Sequence, residues 1–283
     1  MIFAPILALA RSGTTFLSSL LHRSDAVAGV DQYPYETRLG VHLAKGWFSS
    51  MQPRFYESHP GPNSEGMDQN LLAMLKIFEA EPGIAAARLG PFIEAAARQC
   101  RNKIVDLYKM LSARPAARVI VEKIGLKLEL NLVRNLFDTR PIFLLRDPRD
   151  VLLSMRVFNQ RRGIYDFHQL HAGSFRESLF SMSANLKLLA EYHDGYRGEK
   201  ILVRYEDLVR DPAGVLQQIL VFIGVAGSAG DVMRMVEQAT IHKEHITAAS
   251  PAASVGRWQD EMTSSEQAEI NWFLKPFLDR FGY

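Results

Sequence analysis

The tightest constraint in this sequence is an order of elements. A short apolar run, Ile2 to Leu9, ends in Arg11-Ser12-Gly13-Thr14-Thr15, and Phe16, Leu17, Leu20 and Leu21 then fall on one helical stripe. The order strand, turn, helix recurs. Val119-Ile120-Val121 precedes Leu126, Leu130, Val133 and Phe137 in helical register, and Ile142 to Leu145 precedes Val151, Met155 and Phe158. A fourth strand, Ile201 to Tyr205, leads to a helix opened by Pro212 and closed before Gly224. The last helix starts on a capping box, Thr263 with Glu266, and turns Ile270, Phe273, Leu274, Phe277 and Leu278 inward. Strands alternating with helices predict an α/β fold with a central, mainly parallel sheet.

Between the first unit and Val119 lies a long insert, residues 31–117, with Pro/Gly punctuation at Pro53, Pro60, Gly61, Pro62, Pro82, Gly83 and Pro91 and helical stretches between. Inserts of this kind shape substrate pockets. No linker divides the chain, and 283 residues fit one large α/β domain, so a single domain over 1–283 is expected. At 47% hydrophobic and 23% charged residues the composition excludes disordered, collagen-like and mucin-like classes.

With 33 basic and 31 acidic residues the net charge is +2, so no global field favours a nucleic-acid partner and any anion site must be local. The lone Cys100 lies in no metal-binding spacing and suits a reducing compartment. The N-terminal apolar run is too short for a signal or a span, and nothing later is apolar enough to cross a bilayer. A soluble, cytoplasmic protein is expected, with its oligomeric state open.

Two clusters carry chemistry. In Arg11-Ser12-Gly13-Thr14-Thr15 the glycine permits a tight turn, and the amides that follow sit at a helix N-terminus where they can hold an anion beside two hydroxyls and a guanidinium. The loop lacks the first glycine and the lysine of G-x-x-x-x-G-K-[ST], which disfavours an ordinary ATPase or GTPase. The alternative is a helix cap and nothing more. In the second cluster, Arg146 leaves the carboxyl end of a strand and Asp147-Pro148 starts a helix, so Arg146 is expected in the same crevice, able to grip a second phosphate or to bridge to a carboxylate. Arg149 and Asp150 are expected to form a solvated surface pair.

These clusters resemble the nucleotide-dependent sulfotransferase superfamily, whose donor is 3′-phosphoadenosine 5′-phosphosulfate (PAPS). Arg11 to Thr15 fits that family's (K/R)-S-G-T-T loop for the 5′-phosphosulfate. Arg146 and Ser154 match the two contact positions of its R-(D/N)-P-x-D-V-x-x-S motif for the 3′-phosphate. Glu122-Lys123, Arg204 to Leu208 and Gly256-Arg257-Trp258 resemble further family segments in the same order. Arg11 stands where the cytosolic branch has lysine, and Ile124-Gly125 replaces the common Thr/Ser-Pro after Glu-Lys. The resemblance implies a three-layer fold related to P-loop nucleotide kinases and sulfuryl transfer from PAPS, with no metal required. The acceptor would be a small molecule, carbohydrate, lipid or peptide.

On that basis Arg11, the Gly13, Thr14 and Thr15 amides and Lys123 are candidates to stabilise the leaving oxygen. The resemblance places the catalytic base at Glu36, within Glu36-Thr37-Arg38; an exposed glutamate in a first helical turn is the plain alternative. His42, His59, His168 and His171 are lesser candidates for the base. Phe16 and Tyr205 could flank an adenine, Arg257 could hold a phosphate, and Trp258 would anchor its loop by burial. Aromatic residues of the insert, Tyr33, Tyr35, Trp47, Phe48, Phe55 and Tyr56, could stack on an acceptor or form the insert's own core. Two competing functions are a P-loop kinase using ATP and magnesium, with Asp147 as metal ligand, and a silent nucleotide-binding scaffold on the same fold.

Overall fold

The computed structural model describes residues 1–30, 35, 37–51, 82–126, 128–163, 175–225, 227–240, 242 and 246–283. Among them six strands form one sheet: β1 (Ile2–Leu7), β2 (Val27–Ala28), β3 (Val119–Lys123), β4 (Asp138–Thr139), β5 (Ile142–Leu145) and β6 (Ile201–Arg204). All pairings are parallel, in the order β2-β3-β1-β5-β6, with β4 also against β1.

The pleat explains the apolar runs. Phe3, Leu7, Ile120, Phe143 and Leu145 point into one buried cluster, whereas Ala4, Ile6, Val119, Val121, Ile142 and Leu144 point into another on the opposite face. Helices cover both faces, which gives three layers. The strands β4 and β5 hold one register on β1, Phe3 opposite Thr139 and Ile6 opposite Ile142, so they are a single strand interrupted. Arg140 N still donates to the Phe3 carbonyl at 3.0 Å. The next bond would run from residue 5 to the Arg140 carbonyl, Pro5 has no N–H to give, and the ladder breaks.

Short turns lead from strand to helix on the carboxyl edge of the sheet. After β1 comes α1 (Thr14–Leu21), after β5 comes α5 (Pro148–Arg162), and after β6 come α7 (Tyr205–Arg210) and α8 (Pro212–Phe222). The caps follow the sequence: Asp147 accepts from Arg149 N at 2.9 Å ahead of Pro148, and Asp211 accepts from Gly214 N at 2.9 Å ahead of Pro212. After α9 (Ala229–Glu237) and α10 (Trp258–Glu261), the reciprocal Thr263–Glu266 box opens α11 (Ser264–Phe281), which packs on α6 (Phe175–Gly195).

The insert supplies α2 (Leu39–Met51) and α3 (Pro82–Leu111), which pack on each other and on α4 (Leu128–Leu136). Val41, Ala44, Ile104 and Tyr108 are fully buried in the cluster that holds Phe3 and Leu7, so these helices share the main core. Trp47 packs on that core as well; Tyr33, Phe55, Tyr56 and the prolines of residues 52–81 lie outside the described residues. No described helix is long and apolar enough to cross a membrane.

Candidate functional site

The cleft opens where the chain order along the sheet reverses, beyond the carboxyl ends of β1 and β5. The loop after β1 reaches α1 through two left-handed residues, Arg11 at φ 67° and Gly13 at φ 94°. A non-glycine residue in that region is strained, and such strain gathers at functional sites. Gly13 is the N-cap of α1 and offers it no side-chain cap. An N-terminus of this kind at a sheet's carboxyl edge is suited to an anion. Glycine is also required sterically: a Cβ on Gly13 would overlap Tyr205 Cδ2 and sit 2.5 Å from its Cε2.

Arg146 is the keystone. It is 6% exposed, its guanidinium lies 4.5 Å over the Tyr205 ring, and it donates to the Arg11 carbonyl at 3.0 Å and to the Ser254 carbonyl at 2.6 Å. It therefore bridges to two backbone carbonyls, and among the described residues it pairs with no carboxylate. Its Nε is buried with no hydrogen-bond partner among the described residues, a donor left available beside the cleft. Arg11 stacks on Phe158 at 4.2 Å and donates from Nε to Ser154 Oγ at 3.3 Å. Ser154 also shares a hydrogen bond with Thr247 Oγ1 at 2.9 Å. Arg11, Arg146 and Ser154 line one cleft with Gly13, Thr14, Thr15, Phe16 and Tyr205.

The opposite wall comes from residues 240–254, which give Thr240, His242, Ile246, Thr247, Ser250 and Ser254. Sequence reasoning missed this wall, since a non-repetitive loop carries no periodicity to read. Tyr205 closes one corner, its hydroxyl 3.0 Å from Ser254 Oγ. Arg257 stands one layer back: it donates to both carboxylate oxygens of Glu261 at 2.7 Å and to the Thr247 carbonyl at 2.9 Å, and it does not line the cleft itself.

The expectation of a solvated Arg149–Asp150 pair is wrong. Asp150 is fully buried and accepts from the amides of Gly256 at 2.6 Å and Trp258 at 3.0 Å, so it pins the loop that carries Arg257. Burial pushes its carboxyl above the ordinary range, while those amides and Arg146 oppose the rise. Arg149 turns the other way, gripping both oxygens of Asp147 at 2.8 Å and stacking on Trp258 at 3.9 Å. A helical position three residues past a buried cap faces inward here, which the local charge pattern concealed.

The remaining candidates separate. Lys123 ends β3, opposite Ile6, and does not line the cleft. Glu36, His59, His168 and His171 lie outside the described residues, and His42 is exposed on α2. Glu36 is bracketed, however, by described neighbours. The Tyr35 hydroxyl pairs with His242 Nε2 at 2.9 Å, on the cleft wall. Thr37 Oγ1 and Arg38 N donate to Glu122 Oε1 at 3.3 and 2.5 Å. Among the described residues no group of His, Cys, Asp and Glu is arranged to hold a metal ion.

Comparison with known proteins agrees with this layout. A family model described as the sulfotransferase family matches residues 4–228. No curated protein matches the sequence. Among solved structures, the sulfotransferase domain of the Synechococcus PCC 7002 olefin synthase is 20% identical, with 100% of this chain and 95% of that one covered and a TM-score of 0.53. Mouse sulfotransferase SULT7A1, complexed with PAP, is 12% identical over 98% and 83% of the two chains, with a TM-score of 0.52. A sulfotransferase from Alicyclobacillus acidocaldarius is 16% identical over 99% and 92%, with a TM-score of 0.51. These structures share the fold, and since the family model spans most of the sequence, the chain belongs to the sulfotransferase family.

Proposed function

We propose that the cleft binds PAPS and that the enzyme transfers its sulfuryl group to a hydroxyl, less readily an amine, of a small-molecule, carbohydrate, lipid or peptide acceptor. The observation that carries this reading is the joining, in one cleft, of an uncapped helix N-terminus with two buried guanidinium groups, Arg11 and Arg146, and the Ser154 hydroxyl. Such a cleft suits a ligand with two separated anionic groups and an aromatic ring branching from the same scaffold. The buried Nε donor of Arg146 fits one anion and the turn at Gly13 fits the other. The mouse relative was solved with PAP, the desulfonated form of this donor.

When bound, the donor supplies a sulfuryl group already activated by attachment to phosphate. The protein's part is to neutralise and to position. Arg11, clamped between Phe158 and Ser154, offers a fixed positive charge where the leaving phosphate oxygen gathers charge, together with the amides at the start of α1. Lys123 is the second cation of the proposal. Glu36 takes the acceptor's proton, Phe16 and Tyr205 flank the adenine, and Arg257 supports the 3′-phosphate side through Thr247. The insert, residues 31–117, forms the acceptor side of a single domain. A cytoplasmic location belongs to the same proposal.

A kinase reading finds less support, because Asp147, its magnesium ligand, is occupied on both oxygens by Arg149. Incubation with radiolabelled PAPS and an acceptor panel tests the proposal. Label should move to an acceptor, Arg11→Ala should lower the rate by about 100-fold or more, and Glu36→Gln should do the same with PAP affinity unchanged. Full-rate transfer by Glu36→Gln would remove that residue as the base.

A further inference from the structure

One buried acid has no part in the cleft. Glu122 is 1% exposed, on β3 one residue before Lys123. Three donors converge on its carboxylate from two other parts of the chain. Oε1 accepts from Arg38 N at 2.5 Å and from Thr37 Oγ1 at 3.3 Å, and Oε2 accepts from the Tyr108 hydroxyl of α3. Tyr108 in turn accepts from Gly40 N at 3.2 Å, so the start of α2 is held as well. Burying a carboxylate costs several kcal/mol unless it is well paired, and an apolar side chain would fill this place more cheaply. A buried acid kept under those terms calls for a use.

The backbone it holds is itself unusual. Arg38 has φ 52° and Tyr35 has φ 63°, and neither is glycine. Strained residues on both sides of position 36 persist only where surrounding bonds over-determine them. Those bonds are visible: Tyr35 is fastened to His242 on the cleft wall, and Thr37 and Arg38 are fastened to Glu122.

We propose that Glu122 is a positioning residue, which with Tyr108 fixes the Thr37–Arg38 backbone and thereby sets the segment carrying Glu36 in register with the strand carrying Lys123. The inference rests on the reading of Glu36 as base, and it assigns Glu122 no contact with substrate. Cleft wall, base segment and β3 are joined through one tether at Tyr35 and another at Thr37–Arg38.

The anchor has a pH signature. Burial pushes the Glu122 carboxyl up to about 7, against the pull of its Tyr108, Arg38 and Thr37 hydrogen bonds and the Arg38 charge. The charged groups near this anchor are Arg38 and Lys45, both within 3.5 Å of Glu129, and Lys123 next in sequence. Protonation gives Glu122 a hydrogen that competes with the Tyr108 donor, so the anchor is complete above neutral pH and loosens below it.

The test compares wild type with Glu122→Gln, Glu122→Ala, Tyr108→Phe and Glu36→Gln. Hydrogen exchange across residues 35–40 is followed from pH 6 to 8 with PAP present, after correction for intrinsic exchange. Transfer from PAPS is measured with p-nitrophenol as acceptor. Wild type should gain protection at the Arg38 amide through pH 7, Glu122→Gln should show a flat profile, and Glu122→Ala should lose at least tenfold in protection. PAP affinity should stay within twofold of wild type in all. Where p-nitrophenol turns over, kcat should fall at least tenfold in Glu122→Ala with the KM for PAPS unchanged, and Glu122→Gln should recover part of it. A wild-type exchange profile in Glu122→Gln, or wild-type kcat in Glu122→Ala, would overturn the proposal. Wild-type kcat in Glu36→Gln would instead remove the base reading, with the exchange result left standing on its own.

Discussion

Replacing Gly13 by alanine probes the most crowded point of the cleft, and its cost can be worked from the geometry. Two penalties add. The backbone at φ 94° is left-handed, which costs an L-residue roughly 1–2 kcal/mol. The new methyl would overlap Tyr205 Cδ2 and lie 2.5 Å from Cε2, and forcing a methyl into a packed site costs roughly 1–3 kcal/mol. The sum is about 2–5 kcal/mol, read as a lower midpoint in urea unfolding at constant slope. Tyr205 can yield only by giving up its bond to Ser254 and its stacking on Arg146. PAP affinity should therefore fall at least tenfold beyond the loss of stability. A double-mutant cycle separates the two penalties, because in a Tyr205→Ala background the steric part vanishes and about 1–2 kcal/mol remains. Equal costs in both backgrounds, or a total below about 0.5 kcal/mol, would refute the packing argument.

Other consequences can be checked as directly. Arg146→Ala removes the bonds to the Arg11 and Ser254 carbonyls, so PAP affinity should fall about 100-fold; Arg146→Lys should not restore it, since lysine lacks the planar fork and the stacking face. Glu122 makes stability depend on pH with a definite sign. Its folded carboxyl holds a proton up to about 7 against an ordinary 4.5, so the native state binds more protons between those values and stability falls as pH rises through them, by at most roughly 3 kcal/mol. Denaturant titrations at pH 5 and 8 should show that loss in wild type and not in Glu122→Gln, which should be the more stable of the two at pH 8 while transferring more slowly. Thr263→Ala, which removes the cap of α11 and does not touch the cleft lining, should cost about 1 kcal/mol and leave PAP affinity unchanged.

The framework was legible because the same residues satisfy several rules together. Asp147-Pro148 caps the helix after β5 and Asp211-Pro212 the helix after α7, Thr263 and Glu266 close a box, and the alternating apolar runs of β1, β3 and β5 find a buried partner on each face. The interrupted strand was hidden because β4 is two residues long and its break depends on Pro5 lying across from Arg140, a neighbour no local window contains. In the site, Arg11, Arg146 and Ser154 stand out as motif positions, and their convergence follows from the turns that carry them. Asp150 was misjudged because an acid next to a basic residue in sequence looks solvated, and Glu122 was noted only as part of a motif; the fold alone reveals the amides or hydroxyls that bury them. The wall at residues 240–254 left no trace in composition, since Thr247 and Ser254 act through bonds to Ser154, Arg146 and Tyr205.

The central claim is that two guanidinium groups and a helix N-terminus form a cleft for PAPS. Isothermal titration of the whole chain with PAP, with ATP and magnesium as comparator at fixed salt and pH, tests it most directly. The account predicts saturable binding of PAP, much weaker in Arg146→Ala, and little or no binding of ATP with magnesium. Binding of ATP and magnesium in place of PAP, or PAP affinity unaltered by loss of Arg146, would contradict it.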